Sequence, residues 1–216
     1  RLMPLTTHTP KPMLEVGGVP FTEHQIRKAA ESGISEIILA TSYKAELFEP
    51  YFGSGEKFGI KIKYAVESSA LGTGGGIRNA AKLLDSCDQV IIFNGDVLSA
   101  HDLTAQMDFH RKNKADVTLY LTTVLDARSY GCVELGSDNR VHTFLEKMDK
   151  PVSNLINAGC YIFSPSVINQ IPADQVVSVE RESFPNLLSS GAKIFGFLDN
   201  SYWLDIGTPA ALVKAS

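Results

Sequence analysis

The sequence predicts an α/β fold: a mostly parallel sheet with flanking helices, followed by a smaller antiparallel layer. Three observations carry that prediction. Apolar strand-like runs alternate with segments of helical period over residues 21–113, the pattern of a sheet built through crossover helices. Val90-Ile91-Ile92-Phe93 is an unbroken apolar run, as expected of a strand buried on both faces. From residue 116 onward, strand-like runs separated by short turns replace the alternation. At 216 residues the chain has the length of one sizeable domain, or one with a small appendage.

Pro4, Pro10, Pro12, Pro20 and Gly17-Gly18 crowd the first twenty residues, a density that predicts a rigid, irregular loop. Thr22 and Gln25 have the spacing of a capping box and Phe21 with Ile26 that of a hydrophobic staple, which predicts a helix over 22–33. A buried strand is expected over 36–41. Ser42 then opens a second helix, with Leu47, Phe48, Tyr51 and Phe52 on one stripe and Gly53 as its stop. Residues 60–66 alternate as a one-sided strand. Leu71-Gly72-Thr73-Gly74-Gly75-Gly76 opens a helix with Ile77, Ala80, Ala81 and Leu84 on one face. A helix over 102–113 follows the central strand. Strands are then expected over 116–124, 131–135, 140–146 and 156–164, short helices over 165–170 and 178–190, and a last strand over 193–198. The antiparallel half reads as a substrate-binding lid.

Charge is balanced, with 20 Lys+Arg against 24 Asp+Glu, which gives no nucleic-acid footprint. The 3 cysteines are far apart and the 5 histidines lack metal-ligand spacing, which argues against a disulfide framework or structural zinc and fits a reducing cytoplasm. No apolar run approaches the ~20 residues of a membrane span, and no signal-peptide pattern opens the chain.

Asn94-Gly95-Asp96 delivers a carboxylate at the carboxyl end of the central strand, where open α/β sheets bind ligands. Asp96 has no basic neighbour in sequence, so Mg²⁺ carrying nucleotide phosphates suits it. Asn-Gly-Asp is equally ordinary turn chemistry. Lys11, between Pro10 and Pro12, is presented by a stiff backbone. The glycines at 72–76 let a ligand approach bare backbone, where free amides favour anions. They form neither a Walker A loop nor a dinucleotide fingerprint.

The order of motifs is itself specific: Arg1-Leu2-x-Pro-Leu-Thr, Pro10-Lys11-Pro12-Met13, Leu71-Gly72-Thr73-Gly74-Gly75, Phe93-Asn94-Gly95-Asp96, Phe144-Leu145-Glu146-Lys147, Asn157-Ala158-Gly159 and Trp203-Leu204-Asp205-Ile206-Gly207-Thr208-Pro209. The chain resembles the sugar-1-phosphate nucleotidyltransferases over essentially its whole length, most closely those that transfer guanylyl to mannose 1-phosphate. That resemblance implies a Rossmann-like α/β sheet, with the antiparallel layer binding the sugar. It implies that Arg1 and Lys11 neutralise the triphosphate and departing pyrophosphate, and that Asp96 and Asp205 hold Mg²⁺. Lys147 would take the sugar phosphate, Glu146, Asn157 and the Gly131 backbone the sugar, and Leu71, Gly72 and Thr73 the nucleotide. Family members begin with a strand and a Gly-Gly-x-Gly-Thr-Arg-Leu loop. Arg1-Leu2 matches the end of that loop, so residues 1–216 are expected to be a single domain truncated at its amino terminus. A genuine loss of the loop would instead suit a non-catalytic nucleotide-sugar sensor.

Glu67 lies where the family reads the base. A carboxylate accepts both donors of the guanine edge, N1–H and the 2-amino group, whereas uracil and thymine would set a carbonyl against it. This favours GTP over UTP or dTTP. Uridylyl or thymidylyl transfer, and guanylyl transfer to a heptose 1-phosphate, remain alternatives, since the residues do not separate mannose from other hexoses. The implied partners are small molecules, an NTP and a sugar 1-phosphate, without nucleic acid or membrane and with homo-oligomerisation left open.

Overall fold

The computed structural model describes residues 2–215. In chain order the strands are β1 (Glu15–Val16), β2 (Val19–Pro20), β3 (Glu36–Thr41), β4 (Lys61–Val66), β5 (Val90–Phe93), β6 (Val97–Ser99), β7 (Val117–Thr123), β8 (Gly131–Leu135), β9 (Val141–Glu146), β10 (Leu155–Phe163), β11 (Ile194–Leu198) and β12 (Trp203–Asp205). The helices are α1 (Phe21–Glu31), α2 (Glu49–Phe52), α3 (Gly72–Ala80), α4 (Leu103–Asn113), α5 (Pro165–Ile168), α6 (Phe184–Ser189) and α7 (Pro209–Ala215). A π-type turn, Val179–Ser183, leads directly into α6.

The α/β class with flanking helices holds, but the sheet is mixed rather than mostly parallel. Parallel pairing joins β3 to β4 and β11 to β7, while β10 pairs antiparallel with β5, β7 and β8. The antiparallel strands are therefore continuous with the central sheet through β10 and do not form a separate lid. Apolar residues on β7 explain the layering. Val117, Leu119 and Leu121 point into a core with Phe163, Phe184 and Ile194. Tyr120 faces the opposite way, into a cluster with Leu103 of α4 and Cys160. Side chains of period two buried on both faces need helices on both sides. Each fully buried Leu or Val contributes about 1.5–3 kcal/mol.

Sequence and structure part at several places, each for a physical reason. β3 and β5 are half-buried, because among the described residues each is paired along one edge only and lines a cleft with the other. The segment expected as the second helix is broken into a 3₁₀ turn, Ala45–Leu47, and the single turn α2, whose Pro50 supplies no backbone donor to continue from the turn before it. Phe48 and Phe52 still anchor it in a core with Ile26, Ile60 and Ile62. Thr22 and Gln25 do not form a capping box. Thr22 Oγ1 donates to Pro12 O at 2.8 Å, and Gln25 Nε2 donates to Asn94 O at 2.7 Å and Val97 O at 3.1 Å. Asp102 caps α4, accepting from the Ala105 N–H at 2.8 Å. No helix among the described residues is long and apolar enough to cross a membrane.

Candidate active site

Strand β10 changes partner along one edge, and the site forms at the changeover. Its first half meets β8 at Ile156 and Cys132, and its second half meets β5 from Cys160 to Phe163. Between Asn157 and Tyr161 the register slips. Gly159 sits there at φ +79°, and a Cβ on it would come within 2.9 Å of Val97 and 3.2 Å of Asn94. Only glycine meets both demands. The bulge lets the Gly159 carbonyl accept from the Asn94 N–H at 2.8 Å and so fixes the start of the Asn94-Gly95-Asp96 turn.

Asp96 ends that turn just before β6, and Asp205 ends β12, which pairs antiparallel with β6 so that Asp205 stands opposite Val97. The Ile206 N–H donates to Asp96 O at 2.9 Å, and Trp203 Nε1 ties β12 to Ala158 O at 3.0 Å. Two carboxylates far apart in sequence are thereby held side by side. Burial pushes the Asp205 pKa up, and the Asp96 charge pushes it further. The Lys11 ammonium meets Asp96 Oδ2 at 2.9 Å, with both side chains about a third exposed at 33% and 38%. A hard divalent cation fits this donor set. The two carboxylates repel one another, and Mg²⁺ is characteristically held by one or two carboxylates, with waters and substrate phosphates completing its shell. Among the described residues there is no group of three or more His, Cys, Asp or Glu that would make an all-protein cage. Arg1 lies outside the described residues.

Lys11, Glu67, Gly72, Thr73 and Asp96 line one cleft, together with residues of β3 and β5. The glycines of α3 do a different task from the one expected. Gly74 and Gly75 are buried, and their N–H groups point at Val177 O, at 2.8 and 3.4 Å. A Cβ on Gly75 would lie 2.4 Å from Gln175 O, and one on Gly72 would lie 2.6 Å from Val177 O. The close neighbour of this backbone is the 175–177 segment, so these amides are not free for an anion. Gly76 instead adjoins Glu67, whose Oε1 lies 2.7 Å from where a Cβ would stand. Glu67 Oε2 accepts from the Leu71 N–H at 3.1 Å, which holds the carboxylate at the wall of the cleft.

On the other side of the Asp96–Asp205 pair, Gly131 of β8 stands opposite Glu146 of β9. A Cβ on Gly131 would lie 2.9 Å from Glu146 Oε2, so the bare backbone makes room for the carboxylate. Burial raises the Glu146 pKa, partly offset by Lys147, whose Nζ is 3.4 Å from Glu146 Oε1. Lys147 has φ +53°, an αL residue that costs about 1–2 kcal/mol. Its ammonium also acts on the Asp205 carboxyl. Asn157 Nδ2 donates to the buried Tyr161 hydroxyl at 2.9 Å. That hydroxyl donates at 3.5 Å to Glu180, which also accepts from Thr73 Oγ1 at 2.7 Å.

Glu180 thus bridges the α3 end and the β10 end of the site, and sequence reasoning missed it. The sequence predicts only a short helix over 178–190 there, with no role for its charged residues. Only the π-type turn, which breaks the 3.6-residue period, rotates Glu180 inward. Gln25 was missed for a related reason: its spacing from Thr22 matched a cap.

Residues 1–216 match the family model described as nucleotidyl transferase. The chain belongs to that family. Among relatives of this nucleotidyl transferase, the mannose-1-phosphate guanylyltransferase of Mycobacterium tuberculosis is 51% identical over 217 residues, covering 100% of this chain and 60% of that protein. The mannose-1-phosphate guanyltransferase of Yarrowia lipolytica is 35% identical over 212 residues, covering 97% and 58%. The chain therefore spans 58–60% of the length of these curated relatives. A crystal structure of HddC from Yersinia pseudotuberculosis complexed with GMP-PN has a TM-score of 0.82 at 29% identity, over 100% of this chain and 92% of that one.

Proposed function

We infer that this nucleotidyl transferase, as a single domain over residues 1–216, moves a guanylyl group from GTP to mannose 1-phosphate, giving GDP-mannose and pyrophosphate. The observation that carries the reading is Lys11 paired with Asp96 at the cleft, with Asp205 near enough to Asp96 for their charges to interact, in a chain 51% identical to a mannose-1-phosphate guanylyltransferase.

A sugar 1-phosphate has its second pKa near ~6, so its oxygen is already an anionic nucleophile at neutral pH. No general base is needed. The chain has to bring two anions together in line and neutralise charge as pyrophosphate leaves. Lys11, a third exposed on a stiff turn, is placed to meet the triphosphate. Lys147 presents an ammonium on the opposite side for the sugar phosphate, and Glu146, Asn157 and the Gly131 backbone offer acceptors and donors to the sugar. Asp96 and Asp205 would hold Mg²⁺, which would supply neutralisation of charge on the α-phosphate and leaving group. Glu67 favours guanine because it accepts from both donors of that edge.

The test is pyrophosphate release by the chain with Mg²⁺ and mannose 1-phosphate, comparing GTP, UTP, dTTP and ATP. Turnover chiefly with GTP is expected. Turnover chiefly with another nucleotide, or equal turnover with glucose 1-phosphate, contradicts the reading.

A further inference from the structure

Helix α1 touches neither Asp96 nor Asp205 in sequence, yet one of its faces holds the parts that carry them. Thr22, Gln25 and Lys28 recur every three residues and share one side of the helix. Thr22 Oγ1 donates to Pro12 O at 2.8 Å, which pins the turn that presents Lys11. Gln25 Nε2 donates to Asn94 O at 2.7 Å and to Val97 O at 3.1 Å, the carbonyls on either side of Gly95-Asp96. Both partners are acceptors, so the orientation of the amide is unambiguous. Lys28 Nζ donates to Ser99 O at 2.9 Å and His101 O at 2.6 Å, at the far end of β6.

We propose that Gln25 is a positioning residue for the Asp96–Asp205 carboxylate pair. Its two hydrogen bonds close the Asn94–Val97 turn. Because β12 hangs on β6 through Val97, Leu98 and Ser99, the same bonds set the separation of Asp96 from Asp205. Thr22 fixes the Lys11 turn against the same helix, and Gly95 packs against Pro12, whose Cγ lies 3.3 Å from where a Cβ would stand. One helix face therefore registers the lysine and both carboxylates together.

The inference rests on the proposed cation site for its readout. Gln25→Met keeps the length and removes the donor. Mn²⁺ binding, followed by loss of the free-ion EPR signal, is measured for the parent, Gln25→Met, Asp205→Asn and Ser164→Ala. The last removes a bond to Ala115 O far from the site and serves as a stability control. Loss of a residue that orients a metal ligand typically weakens affinity by about 10–100-fold. A shift of about 10-fold or more is expected for Gln25→Met, with none for Ser164→Ala and loss of binding in Asp205→Asn. Should Gln25→Met not fold, Gln25→Asn, which keeps the amide but withdraws it by one methylene, carries the same expectation. Equal Mn²⁺ affinity in the parent and the Gln25 variant overturns the inference and leaves the cation site standing. Parent binding that Asp205→Asn does not change overturns both.

Discussion

Replacing Gly75 by alanine tests whether the glycines of α3 serve to admit the 175–177 backbone. The added Cβ would stand 2.4 Å from Gln175 O and 2.8 Å from the Leu71 Cβ. Neither neighbour is the end of a flexible side chain, so the strand of backbone over α3 must move by about 1 Å to restore ordinary contact. Overpacking of this kind costs about 1–3 kcal/mol. For a domain of this size, 2 kcal/mol lowers Tm by roughly 4–8 °C. The displaced segment leads into Glu180, so the Thr73–Glu180 bond at 2.7 Å loosens with it and KM for the nucleotide, which Thr73 is assigned to meet, rises. Thermal unfolding by circular dichroism is compared with Gly33→Ala, where a Cβ meets nothing within 4 Å and only the positive φ of +80° is strained. Gly75→Ala melting no lower than Gly33→Ala, with KM for the nucleotide unchanged, would refute the reasoning.

Other expectations follow from charge. Burial and the neighbouring Asp96 raise the Asp205 pKa, so the folded chain holds that proton more tightly than the unfolded chain and loses stability as pH rises through the folded pKa. Asp205→Asn should therefore melt higher than the parent at pH 7 in EDTA while losing turnover, and a lower melting point would count against this. His101 and His110 are buried, at 2% and 4% exposure, which pushes each pKa from 6.5 to about 4. The folded chain binds fewer protons between those values, so stability falls with pH across that window, by about 3 kcal/mol for each histidine at the low end. His110→Asn, which keeps a partner for Thr118 Oγ1, should flatten the decline in urea stability between pH 6.5 and 4, and an undiminished decline would contradict it. Glu67→Gln should erode the preference for GTP over UTP in competition assays, and unchanged selectivity would remove Glu67 from base reading.

Much of the fold was legible because period and punctuation agree. Alternation in residues 60–66, the helix expected over 102–113 and the strand runs from residue 116 onward all reappear as elements. Of the candidate site, Lys11 and Asp96 stood out by residue type and setting and meet in the structure, whereas Asp205 was singled out only by the family resemblance. The site was opaque where tertiary contacts decide. Gln25 and Thr22 have the spacing of a local cap but spend their hydrogen bonds on distant loops. The glycines of α3 suggest an anion site, yet a neighbouring strand of backbone lies on them. The antiparallel strands looked separable because nothing local reveals that β10 serves both halves of the sheet.

The most direct test of guanylyl transfer at the Lys11–Asp96–Asp205 site is ³¹P NMR of GTP and mannose 1-phosphate incubated with Mg²⁺ and either the parent chain, Asp96→Asn or Asp205→Asn. The account predicts that the pyrophosphate and GDP-mannose resonances grow together with the parent and not with either variant. Appearance of both products at the parent's rate in the two variants, or GTP hydrolysis to GMP and pyrophosphate without GDP-mannose in the parent, would contradict it.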